Sequence, residues 1–175
     1  MDALFLLPQA SVAMPRAYWL TEPQLSSQLV LIEPSEFEFK RILEALKHLQ
    51  LGDYDMEIVN QLYSDSCTIL PHRRYNLLSG EFRSKEHHRY LGSKEEVWGP
   101  QKALDEAKYV HFSDWPLPKP WLAASESQVN EMQPKCTDSN CKDREIWIWL
   151  YSDFRSRRSV GSIQVIVFCK LTCTS

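Results

Sequence analysis

The chain is poor in several things. It has no run near the ~20 consecutive apolar residues that cross a bilayer, so no transmembrane segment is read in its 175 residues. It has no excess of positive charge: 20 Lys and Arg against 23 Asp and Glu leave a net charge of −3. Without a broad basic field, nucleic acid is not an expected partner. Cysteine is sparse and scattered, at Cys67, Cys136, Cys141, Cys169 and Cys173. The odd count and wide spacing argue against a disulfide scaffold, and the two-pair spacing of a zinc site is missing. Cys136 and Cys141 are close enough to bridge a loop if the chain enters an oxidising compartment. Internal repeats are absent. The opening "MDALFLLPQASVAMPRAYWL" puts Asp2 where a signal peptide carries positive charge, and "ALFLL" is shorter than its apolar core, so no targeting segment is read. What remains is globular in composition, 43% hydrophobic and 25% charged with six Trp, and long enough for one domain with its own core.

Hydrophobic patterning gives the order of elements. "QLVLIE" (28–33) reads as a strand whose continuous apolarity predicts burial on both faces. Phe39, Ile42, Leu43, Leu46 and Leu49 then recur at helical spacing, with Ser35 and Glu38 as a capping box and Gly52 as the stop. A second helix starts near Asp55 and places Met56, Val59, Leu62 and Tyr63 on one face. "CTILP" and "KYVHF" read as short strands, and "EEVWGPQKALDEA" as a helix around Pro100. Residues 122–143 read as polar loop. "REIWIWLYSDFRSRR" aligns Ile146, Trp147, Leu150, Tyr151 and Phe154 on one stripe, the mark of a docking helix. Alternating strands and helices predict an α/β class with a mostly parallel sheet.

The densest chemistry lies in "HFSDWPLPKPW", residues 111–121. α/β sheets deliver ligand-binding groups at the C-terminal ends of strands, where His111 sits. A neutral imidazole is a common metal ligand, and Lys119 is a compact cation suited to a phosphate oxygen. Prolines between them restrict the backbone and reduce the entropy lost on ordering. The same residues also fit a surface histidine, a solvated lysine and packed loop indoles, and the spacing alone leaves both readings open. "HRR" at His72–Arg74 reads as a basic turn that could also touch phosphate or sugar. His87 and His88, as helix neighbours, point apart and do not read as a shared metal pair.

These stretches together resemble glycosyltransferase family 8, the glycogenin-like family. "HFSDWPLPKPW" resembles the family's His…Lys-Pro-Trp motif, with Asp114 standing where the family has Gly and a gap two residues longer. "LSSQLVLIEPS" is similar to its Asn-Ser-Gly strand, "DMEIVN" to its Asp-Gln-x-x-x-Asn helix start, and "RRYNLLSG" to its Tyr-Asn segment. The resemblance covers residues 1–158 and is nearest to the fungal branch, which includes Golgi N-acetylglucosaminyltransferases; residues 159–175 form an unmatched tail. It implies the C-terminal portion of a GT-A-type nucleotide-diphospho-sugar transferase fold, a Rossmann-like mixed sheet flanked by helices. It implies a manganese ion on His111, a donor diphosphate on Lys119 with Ser26 and Gln28 beside it, Asp55 in a catalytic role, and Asn60, Tyr75 and Asn76 toward the acceptor. The partners would be a nucleotide-sugar, UDP-linked by family habit, and a glycan or protein acceptor, in the Golgi lumen or the cytoplasm. The family's Asp-X-Asp metal motif belongs to an N-terminal half that "MDALFLLP" would follow. "DYD" at Asp53–Asp55 has its spelling but lies at a helix start, where carboxylates complement the dipole. The expectation is a truncated transferase, inactive alone, or a non-catalytic binding remnant of the same fold.

Overall fold

A computed structural model describes residues 2–136 and 140–159. The tail expected over 159–175 lies outside them from residue 160 onward. In chain order a 3-10 turn (Asp2–Leu6) leads to β1 (Val12–Pro15), β2 (Leu31–Ile32), α1 (Glu36–Leu46), α2 (Asp55–Tyr63) and β3 (Thr68–Leu70). Then come α3 (His72–Tyr75), β4 (Leu77–Leu78), a 3-10 turn (Ser79–Arg83), α4 (His88–Leu91), α5 (Pro100–Glu106), β5 (Val110–His111), α6 (Glu126–Met132) and α7 (Lys142–Ser159).

The strands make two small sheets. One is mixed, in the order β2-β1-β3, with β1 antiparallel to β2 and parallel to β3; the other is the parallel pair β4-β5. The class is therefore mixed α/β, and the first sheet is not mainly parallel. All four residues of β1 are buried, so "VAMP" carries no alternation that would announce a strand. The expected strand 28–33 shrinks to two residues at an edge, with Ile32 57% exposed, because it has a neighbour on one side only.

α1 begins at the expected cap, but only the Ser35 half of the box forms, since the Glu38 carboxylate is taken by Arg41 and Tyr63. Ser35 accepts a hydrogen bond from the Glu38 amide at 3.3 Å. Its packing face is another matter. Glu38, Arg41 and Ala45 turn toward α2: Tyr63 donates to Glu38 at 2.8 Å and Arg41 donates to the Leu62 carbonyl at 3.1 Å. The apolar stripe that reveals the helix, Phe39, Leu43 and Leu46, is left exposed. The helix expected over 95–107 starts only at Pro100, which takes the N-terminal position where a missing N–H costs nothing.

α6 falls inside the stretch read as loop. Ser125 and Gln128 form a reciprocal capping box, the Gln128 amide donating to Ser125 Oγ at 3.2 Å and the Ser125 amide to Gln128 Oε1 at 2.9 Å. α6 buries no residue fully, so no apolar periodicity marks it. A disulfide between Cys136 and Cys141 joins its far side to α7.

α7 docks as its stripe predicts. Trp147 is fully buried, Ile146, Leu150 and Tyr151 join it, and Phe154 packs edge-on to Phe112 at 5.5 Å between ring centroids. This helix covers the core that also takes Leu77, Phe82, Tyr90, Leu117, Val110 and Phe112. Strand period two therefore gives Val110 and Phe112 to the α7 side and turns Tyr109 and His111 the other way.

Candidate functional site

His111 closes β5, paired in parallel register with Leu78 of β4. Beyond it the chain loops through Pro116 and Pro118 and returns Lys119 to the strand end, with Pro120 directly after it. Lys119 Nζ donates to the Phe112 carbonyl and stands 3.5 Å from His111 Nε2. An ammonium has no lone pair, so Nε2 is the acceptor and the ring proton belongs on Nδ1. Burial and the adjacent Lys119 charge push the imidazole down to about 4, so it is neutral near pH 7.

The loop between them is fastened at Asp114, which is 2% exposed. Ser79 donates to its Oδ2, Tyr151 donates to the same oxygen at 2.9 Å, and Arg83 reaches Oδ1 at 3.2 Å. Burial and this carboxylate hold the Tyr151 phenol well above its ordinary range. The Ser113 amide donates to Ser79 Oγ at 3.0 Å, and the Gly80 amide to Ser113 Oγ at 3.0 Å. A Cβ on Gly80 would stand 2.9 Å from Ser113 Oγ, which is why the approach suits glycine. Asp114, read from the sequence as a departure from Gly, is thus a buried anchor. Leu117, 5% exposed, pins the other flank, its amide donating to the Asp114 carbonyl at 2.7 Å.

The segment 25–28 reaches the same face through Tyr109, whose hydroxyl donates to the Gln28 carbonyl at 2.8 Å. Ser26 is fully buried, its amide donating to the Pro15 carbonyl at 2.8 Å. Asn60 clasps the neighbouring backbone, accepting from the Leu25 amide at 2.7 Å and donating to the Leu25 carbonyl at 3.0 Å. Asn76, fully buried, donates to the Arg16 carbonyl at 3.2 Å. Gln28 Oε1 and Asn76 Oδ1 are buried and accept nothing from the described residues. Of the expected site residues, Ser26, Asn60 and Asn76 thus gather around the end of β1, and Gln28 links that cluster to the His111 strand.

Two expected site residues stand apart. Tyr75 packs in the core of Leu4, Ala13 and Leu70. Asp55 is exposed at the first position of α2, with no hydrogen bond to another member of the set. Tyr109 was not foreseen, although its place two residues before His111 on a strand is a signal for a shared face. The "HRR" turn is absorbed by structure: Arg73 is bound by Glu96 at 2.9 Å and by Glu106 at 2.9 Å, and His72 Nε2 lies 2.7 Å from the Tyr90 carbonyl. His87 and His88 do point apart, His87 to Glu81 at 2.8 Å and His88 to Glu86 at 3.7 Å.

The residues present do not by themselves fit a divalent ion. The Nε2 lone pair of His111 already faces an ammonium, and no group of three His, Cys, Asp or Glu side chains converges among the described residues. Their chemistry is that of an oriented cation at a strand end.

The depressed imidazole makes stability depend on pH. Between its folded value of about 4 and the ordinary 6.5, the unfolded chain binds a proton that the folded chain does not. His111 therefore costs nothing above about pH 6.5 and destabilises progressively as pH falls toward about 4. His111→Gln is expected to gain stability over the wild type at about pH 5 relative to about pH 7.5 in urea unfolding. An identical pH slope in both proteins would contradict the burial of a neutral imidazole.

No protein-family profile and no solved structure matches the chain. Curated fungal proteins do. It is 51% identical over 165 residues to Glucose N-acetyltransferase 1 of Gibberella zeae, covering 90% of this chain and 36% of that protein. It is 48% identical over 179 residues to the Aspergillus fumigatus protein of the same name, covering 91% and 47%. The Saccharomyces cerevisiae protein of that name is 25% identical over 180 residues. The chain spans less than half the length of these relatives. Over nine-tenths of its own residues, then, it is homologous to fungal transferases.

Proposed function

We propose that these residues form the diphosphate-facing part of a glycosyltransferase of the glycogenin-like type, with a GT-A architecture, which moves a sugar from a UDP-linked donor to a glycan or protein hydroxyl. The observation that carries the reading is Lys119, held on the β5 end by the Phe112 carbonyl and His111. The relatives' name supports the sugar. Glucose has hydroxyls and no nitrogen to acetylate, so the name makes chemical sense as transfer of an N-acetylated glucose unit. The disulfide supports a lumenal, Golgi-type compartment, since such bonds persist where conditions are oxidising. Among the described residues no helix is long and apolar enough to cross a membrane.

In the reaction, the bond from the sugar's anomeric carbon to the diphosphate breaks and its electron pair leaves with the diphosphate. An acceptor oxygen forms the new bond, and its proton passes to the departing diphosphate. Lys119 would meet the charge that grows on the leaving oxygens. His111 would hold that ammonium in place through Nε2. Gln28 Oε1 and Asn76 Oδ1 would take donor N–H or O–H groups that their burial otherwise leaves without partners. Asp55 would orient the acceptor from the α2 start. Manganese, which the resemblance implies, enters no step here.

The test is binding. The purified chain is expected to bind UDP by titration calorimetry, and Lys119→Met to weaken this about tenfold or more, as loss of a charged hydrogen bond should. It is not expected to transfer sugar from UDP-N-acetylglucosamine. UDP binding that is undetectable, or indifferent to Lys119→Met, would sink the proposal.

A further inference from the structure

A groove of about 620 Å³ runs between α5 and α7, sharing no residue with the His111 face. That volume is in the ~300–1,000 Å³ range of small-molecule sites. Leu104 and the buried Ile146 line it, and Trp149, 47% exposed, supplies an aromatic wall. Gln101 and Asp105 stand along α5 and Lys142 and Glu145 along α7. The helix spacing puts Lys142, Glu145 and Trp149 on one stripe of α7, beside the stripe of Ile146, Trp147, Leu150 and Tyr151 that fills the core. Trp149 is therefore half-exposed and outside the core cluster.

The lining selects a chemical class. Two carboxylates face one ammonium, and Lys142 Nζ is already 3.5 Å from Glu145, so an anionic ligand such as a nucleotide is disfavoured. A wholly apolar partner would strand Asp105, Glu145 and Gln101 without water. A neutral pyranose satisfies both sides: its C–H face lies on an indole, and its hydroxyls meet carboxylate and amide groups at the edge. Gln101 Nε2 donates to Asp105 Oδ1 at 2.9 Å, which aligns amide and carboxylate side by side for neighbouring hydroxyls.

We propose that the α5–α7 groove is a binding site for neutral saccharide, separate from the His111–Lys119 face and independent of the role given to it. The probes are maltotriose and chitotriose, titrated into the purified chain by calorimetry. Saturable binding of at least one trisaccharide is expected. Trp149→Ala should weaken it about tenfold, the scale of an aromatic contact. Trp149→Phe should retain it, Asp105→Ala should weaken it, and Lys119→Met should leave it unchanged. Trp149 and Asp105 lie outside the core, so wild-type helicity and melting are expected for each variant; should one misfold, the other decides. Absence of saturable binding by both sugars overturns the proposal. So does binding that survives the Trp149→Ala, Asp105→Ala double variant, or binding abolished by Lys119→Met.

Discussion

Arg83→Ala is expected to lower the stability of the chain by about 3–5 kcal/mol, the usual cost of leaving a buried charge without its partner. The Asp114 side chain has no exposed surface, whereas Arg83 is 30% exposed. Removing the arginine therefore strands a carboxylate that water cannot reach. Ser79 and Tyr151 would still donate to Oδ2, but Oδ1 would lose its cation. Asp114→Asn on the Arg83→Ala background removes the stranded charge and is expected to recover part of the loss, a coupling that a double-mutant cycle in urea isolates. If Arg83→Ala costs under about 1 kcal/mol, in the range of an exposed pair, the carboxylate is better hydrated than its burial indicates. The consequence reaches the candidate site, because Asp114 fastens the loop that brings Lys119 back to His111.

The second large effect concerns Lys119. In a chimera where this chain replaces the matched 165 residues of the Gibberella zeae relative, Lys119→Ala is expected to lower kcat by about 10²–10³, the cost of losing one stabiliser of transition-state charge. KM should move far less, since the charge grows only as the leaving bond breaks. His111→Ala acts through Lys119 and is expected to cost about tenfold, the worth of one charged hydrogen bond. Raised manganese should restore neither. Restoration of His111→Ala by manganese would make His111 a metal ligand instead of a positioning residue. Unchanged kcat in both variants would leave the pair as a clamp closing a proline-rich loop.

The two effects differ in how visible they were. Lys119 and His111 are eight residues apart in a stretch with three prolines, and a local motif of that density survives without tertiary information. The Asp114 anchor does not. Its partners Ser79, Arg83 and Tyr151 lie 35, 31 and 37 residues away. Asp114 read as a departure from glycine because nothing local says where its carboxylate goes.

The sequence by itself determined the elements whose signals are local: the Ser35 cap of α1, the buried stripe of α7, and the strand end that carries His111. Capping and helical periodicity act over three or four residues, so the chain states them directly. Tertiary structure decided what depends on neighbours distant in sequence. β1 is a strand because β2 and β3 flank it, not because four buried residues alternate. α1 packs through Glu38, Arg41 and Ala45 because α2 meets that side with Tyr63 and Leu62, leaving the stripe that periodicity singled out exposed. Asn60 and Asn76 meet around the end of β1, and Tyr109 joins Gln28 to the His111 strand, through hydrogen bonds that span 35 to 81 residues. Such contacts form only once the chain has folded, since each asks distant segments to surrender conformational entropy that packing elsewhere must offset.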